Sequence, residues 1–123
     1  MELRKTFRFE ASHVLPKHPG KCSRLHGHSW VLHVFVEGPV EEMTGFVMDF
    51  GDISSFVKPL IDNLLDHYHL NDTTKIYPSS ENLLIWIGRE LYAYRWSKLA
   101  LEETCTSYAE LTRKEFDALH YKS

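Results

Sequence analysis

The chain has 123 residues, with 14 Lys plus Arg against 17 Asp plus Glu, and a net charge of -3 argues against an obligate nucleic-acid binder. With 43% hydrophobic and 25% charged residues it can build a core, which excludes a disordered chain, and its length fits one domain over residues 1–123. Two cysteines, Cys22 and Cys105, are too few for a disulfide framework. The opening MELRKTFRF holds no apolar run for a signal or membrane span, so a cytoplasmic protein without a membrane partner is expected.

From Leu3 to His13 the residues alternate, with Phe7, Phe9, Ala11 and His13 on one face and Thr6, Arg8, Glu10 and Ser12 on the other, which predicts a half-buried strand. The stretch from Leu15 to Leu25 carries Pro16, Pro19, Gly20, Lys17, Lys21 and Arg24 and reads as a long exposed connection. A second strand is expected from His26 to Glu37. Both its faces are apolar, so it is central or contacts another subunit. Ile53, Phe56, Val57, Leu60 and Leu64 then follow a helical period, capped by Asp49 or Asp52 and bent by Pro59. The polar run from Asp66 to Asp72 reads as a helix end and loop. Pro78-Ser79-Ser80-Glu81 opens a second helix with the stripe Leu84, Ile87, Leu91 and Tyr94. An extended segment passes through Glu103-Thr104-Cys105-Thr106, a last strand covers about Tyr108 to Leu111, and a short helix begins at Thr112 with Glu115 three residues on.

Eight histidines stand out, scattered along the chain. His26 and His28, two apart on a strand, place both imidazoles on one face about 6–7 Å apart, close enough for side chains to share one metal. His13 ends the preceding strand on the apolar parity, so antiparallel pairing brings a third imidazole to the same centre. Three His with an open position is the pattern of catalytic zinc, and Cys22 is a candidate fourth ligand. Against this stands the reading in which His-Gly-His is accidental and the rings only make hydrogen bonds. Cys22 is a nucleophile or base beside Lys21 and Arg24, or a small buried hydrophobe. Asp66 offers His67 an orienting carboxylate, although adjacent side chains on a helix point about 100° apart.

Six blocks together carry a resemblance: Phe9-Glu10-Ala11-Ser12-His13, Cys22-Ser23-Arg24-Leu25-His26-Gly27-His28, Gly45 to Phe50, Leu65 to Asn71, Pro78 to Asn82 and Glu103 to Thr106. Residues 7–106 resemble the 6-pyruvoyl-tetrahydropterin synthase family, and the three residues between Cys22 and His26 resemble its carboxy-type enzymes of queuosine biosynthesis, where the pyruvoyl type carries a longer insert. The resemblance implies zinc on His13, His26 and His28, a catalytic thiolate at Cys22, and proton transfer by His67 supported by Asp66. It also implies that Glu103 anchors a pterin, with Thr104 and Thr106 adding hydrogen bonds. The implied fold is α+β, the T-fold: a four-stranded antiparallel sheet with two helices on one face, subunits joining their sheets into a barrel, commonly as a homo-hexamer. The implied reaction converts 7,8-dihydroneopterin triphosphate to 6-carboxy-5,6,7,8-tetrahydropterin, acetaldehyde and triphosphate. Its alternatives are the pyruvoyl-forming reaction on that substrate and a non-catalytic zinc- or pterin-binding protein. Lys17, Lys21 and Arg24 are candidates to receive the triphosphate.

Overall fold

The computed structural model describes residues 1–20 and 23–120. Alternation along the first strand and β-branched and aromatic residues along the second produce a long hairpin-like pair. Strand β1, Glu2–His13, runs antiparallel to β2, His26–Glu37, in unbroken register from Glu2 opposite Glu37 to His13 opposite His26. Helix α1, Phe50–Leu60, follows, capped by Asp49, whose carboxylate accepts the Gly51 amide at 2.7 Å. Pro59 does not end it. Lacking an amide hydrogen, Pro59 weakens the α-helical ladder, and the helix widens into one π-helical turn, Ile61–Leu65, closed by the Asp66 amide on the Ile61 carbonyl at 2.8 Å.

The run from Asp66 to Asp72, expected as a loop, is ordered into two short elements. Strand β3, Tyr68–His69, pairs in parallel with β1 at Ala11 and Ser12, and helix α2, Leu70–Thr74, follows at once. The cause is distant in sequence: the Asp66 carboxylate accepts the Glu10 amide at 2.9 Å and the His67 amide donates to the Glu10 carbonyl at 2.6 Å. Asn71 repeats the device at the strand's exit, accepting from the Val14 amide and donating to its carbonyl, both at 2.9 Å.

Helix α3, Ser80–Glu90, is capped by Ser79, which accepts the Asn82 amide. It ends before Tyr94, so the predicted stripe is buried at Leu84, Ile87 and Leu91, whereas Tyr94 is exposed and stacks on Phe56 with ring centroids 4.6 Å apart. Strands β4, Lys98–Thr104, and β5, Ser107–Thr112, complete a sheet in the order β3-β1-β2-β4-β5, with β2 central. Helix α4, Arg113–His120, starts with a reciprocal cap between Thr112 and Glu115. It packs its Phe116 ring so close to Gly88 that a Cβ there would lie 3.0 Å from it.

The four long strands are antiparallel, and the helices lie on one face. There Phe7, Phe9, Trp30, Leu32, Val34, Leu99 and Leu101 meet Ile53, Val57, Leu84 and Ile87 in one buried core. The predicted α+β class and its antiparallel sheet are therefore the observed ones, with β3 added at the edge. Among the described residues, no helix is long and apolar enough to cross a membrane.

Candidate metal centre and proton-transfer pair

The register that places His13 opposite His26 and Ala11 opposite His28 carries three imidazoles past the end of the core on its helix-facing side. Ring centroids stand 4.5 Å apart for His13 and His26, 5.3 Å for His13 and His28, and 5.7 Å for His26 and His28. Trp30 forms the floor, 4.9 Å from His13 and 4.3 Å from His28. Each Nδ1 lies 2.9 Å from a backbone carbonyl: Pro78 for His13, Arg24 for His26 and Ser29 for His28. A carbonyl only accepts, so each Nδ1 carries the hydrogen and each Nε2 is left with its lone pair.

Glu103 joins this group from β4. Its Oε1 lies 3.4 Å from His13 Nε2 and 3.6 Å from His28 Nε2, and one ligand atom from each of His13, His26, His28 and Glu103 falls within 4.8 Å of all the others. The Nε2 atoms of His13 and His28 are buried without a hydrogen-bond partner. At these separations the ring-to-carboxylate contacts are longer than a good charged hydrogen bond. Lone pairs converging on one point repel unless positive charge lies among them. The donor set, its ligand atoms within 4.8 Å of one another, therefore fits a metal ion, and imidazole nitrogens suit zinc, which takes them at about 2.0–2.1 Å. The neighbouring His13 ring foremost, and then the Ser80 hydroxyl, hold the Glu103 carboxyl well below its ordinary range against the upward push of burial. Its Oε2 accepts from Ser80 Oγ at 2.7 Å.

From the sequence, Cys22 is a candidate fourth ligand and, by resemblance, the catalytic thiolate, while Ser80 belongs to the opening of a helix. Cys22 and Lys21 lie outside the described residues. Among the described residues Glu103 stands beside the three imidazoles, and it also lines an open depression of 380 Å³ with Ser80, Glu81, Ser107 and Tyr108. Thr104 and Thr106 sit on the exposed β4–β5 turn with their hydroxyls 3.4 Å apart, and they are not among the residues lining that depression.

Asp66 and His67 form a separate pair. Neither residue is helical: Asp66 is extended and His67 has a φ of 64°, so the ring swings back and its Nδ1 lies 2.9 Å from Asp66 Oδ2. The Glu10 amide foremost, and then His67, holds the Asp66 carboxyl below its ordinary value. A carboxylate that accepts Nδ1–H leaves Nε2 of the exposed His67 ring free to take or give a proton. The His67 ring, His28, Tyr68, His69, Glu10 and Ser12 line an open depression of 530 Å³.

Comparison with known proteins gives the chain's relatives. The sequence profile of the family described as 6-pyruvoyl tetrahydropterin synthase matches residues 2–114. A protein of Synechocystis named 6-carboxy-5,6,7,8-tetrahydropterin synthase is 43% identical over 113 residues, covering 85% of this chain and 88% of its own. One of the same name from Haemophilus influenzae is 37% identical over 76 residues, covering 59% and 54%. The structure of Caenorhabditis elegans 6-pyruvoyl tetrahydropterin synthase superposes with a TM-score of 0.83 over 91% of this chain and 94% of that one, at 22% identity, and so shares the fold.

Proposed function

Since the chain belongs to the 6-pyruvoyl tetrahydropterin synthase family, we propose that it is a zinc-dependent carboxy-type enzyme, a lyase that converts 7,8-dihydroneopterin triphosphate and one water to 6-carboxy-5,6,7,8-tetrahydropterin, acetaldehyde and triphosphate. The observation that carries this reading is the set of three imidazoles, each fixed through Nδ1, that aim their Nε2 atoms at one point beside Glu103. The name of the 43% identical relative and the short spacing from Cys22 to His26 favour the carboxy type over the pyruvoyl type.

Zinc held by His13, His26 and His28 supplies Lewis-acid polarisation of the substrate's side-chain hydroxyls when bound. Glu103 accepts hydrogen bonds from the pterin's ring N–H and exocyclic amine, which fixes the flat heterocycle, and Thr104 and Thr106 add hydrogen bonds at its rim. The Cys22 thiolate and the His67 imidazole move protons at the adjacent carbons, with Asp66 keeping the His67 hydrogen on Nδ1 so that Nε2 faces the substrate. Lys17, Lys21 and Arg24, on the connection between β1 and β2, receive the triphosphate. The working unit is a homo-oligomer of single-domain chains in the cytoplasm, a hexamer by resemblance, whose sheets join into a barrel and whose product enters queuosine biosynthesis.

Replacing Cys22 tests the enzyme reading against a closed structural metal site. Cys22→Ala should keep zinc and lose turnover; loss of zinc with unfolding would point to a structural site instead.

A further inference from the structure

Glu103 leaves β4 at a point that the strand ladder does not hold. Glu102 pairs with Tyr108 and Thr104 pairs with Ser107, so Glu103 is the one residue of β4 between them with no counterpart on β5. It is the extra residue of a β-bulge, a device that re-aims a side chain at the expense of regular ladder bonds. The Ser80 hydroxyl holds the carboxylate itself at 2.7 Å, and the bulged backbone that carries it needs a hold of its own.

The face opposite Glu103 supplies it. Glu102 Oε2 accepts from His33 Nε2 at 2.6 Å, and Thr6 Oγ1 lies 2.8 Å from His33 Nδ1. The carboxylate only accepts, so Nε2 carries the hydrogen and Nδ1 accepts the Thr6 hydroxyl. Thr6 stands directly opposite His33 on β1, and Glu102 stands opposite Val31, two residues along β2 from His33. The chain of bonds therefore crosses three strands and fastens β4 at its last regular pair before the bulge. Its central ring is well shielded, the His33 side chain being 15% exposed. None of the three residues belongs to the histidine group on the other face.

We propose that Thr6, His33 and Glu102 are positioning residues that hold β4 rigid at the bulge and so set the direction in which Glu103 meets the pterin ring. The proposal rests on the reading of Glu103 as the pterin anchor. Residues that act through one another show non-additive effects in a double-mutant cycle, which a merely structural contribution does not. The zinc-loaded protein and its variants are titrated with neopterin, which lacks the triphosphate, following the pterin's own fluorescence, and KM and kcat are measured on dihydroneopterin triphosphate. His33→Leu should weaken neopterin binding and raise KM by about tenfold, with kcat and zinc content changed by less than about twofold. His33→Gln, which keeps a donor and an acceptor, should recover most of the loss. In a Glu103→Gln background His33→Leu should add less than about twofold. Should His33→Leu fail to fold, Thr6→Val on the exposed strand face carries the same test with a loss of about threefold. Unchanged binding, or equal losses with and without Glu103, would overturn the proposal. A wild-type protein that binds neopterin but turns over no substrate would instead remove the catalytic reading and leave the positioning role measurable by binding alone.

Discussion

His13 Nε2 lies 3.4 Å from Glu103 Oε1, and Nδ1 of the same ring is fixed 2.9 Å from the Pro78 carbonyl. One buried imidazole thereby ties the end of β1, the approach to α3 and the end of β4 to a single point. The ring cannot turn without losing a buried hydrogen bond, so its Nε2 lone pair is presented in one direction. The same logic applied at His26 and His28 gives a preorganised donor set, with Glu103 reaching it from across the sheet.

Removing one donor should therefore remove the metal and leave the fold. His26 is half-buried and its Nδ1 bond is local, to Arg24. His26→Ala should lower zinc, measured by plasma emission on dialysed protein, from about one ion per chain to a small fraction of that. Its far-UV circular dichroism should match the wild type. Full zinc retention would remove His26 from the ligand set.

Trp30 links stability to the same centre. It is fully buried, stacks on Phe9 and lies under His13 and His28. Trp30→Ala should cost about 3–5 kcal/mol in urea unfolding, the range for deleting a buried large aromatic. It should also weaken zinc binding, since the floor that holds two ligand rings is gone. Trp30→Phe keeps a ring there and should lose far less of both.

In the proposed mechanism the Asp66–His67 pair moves protons and holds no metal, so His67→Ala should lower kcat by about 10²–10⁴ and leave zinc content unchanged. Asp66→Asn should lower kcat less, because the imidazole remains while its orientation and tautomer are released. Loss of zinc in either variant would move the pair into the metal site.

The sign of the pH effect at Asp66 follows from its bonds. The Glu10 amide and His67 lower its folded pKa below the reference 3.8. A depressed carboxyl contributes stability above the unfolded value and loses it as pH falls through the folded one. The urea midpoint of the wild type should exceed that of Asp66→Asn at about pH 6, and the gap should shrink as pH falls below the ordinary carboxylate range. A difference that persists unchanged at low pH would mean that the charge of Asp66 does not hold β3 to β1.

Much of the centre was legible because strand parity is a local signal. The alternation of Phe7, Phe9 and His13 and the His26-Gly27-His28 spacing were enough to bring three rings to one face. The caps at Asp49 and at Thr112 with Glu115 were equally local. What the sequence did not reveal depends on contacts between distant residues. Strand β3 exists because Asp66 and His67 grip the backbone of Glu10, and no two-residue strand carries a periodic pattern. The contact between Asp66 and His67 requires the left-handed backbone at His67, whereas helical geometry would have kept the side chains apart. Glu103 reaches the imidazoles because a bulge interrupts the register of β4 with β5, and a bulge is a property of two strands together.

The ratio of acetaldehyde released to dihydroneopterin triphosphate consumed by the zinc-loaded protein decides which reaction it catalyses. A carboxy-type enzyme should release about one acetaldehyde for each 6-carboxy-tetrahydropterin formed, since the first side-chain carbon stays as the carboxyl and the other two leave together. Accumulation of 6-pyruvoyl-tetrahydropterin with no acetaldehyde would mean that it is a pyruvoyl-type enzyme instead.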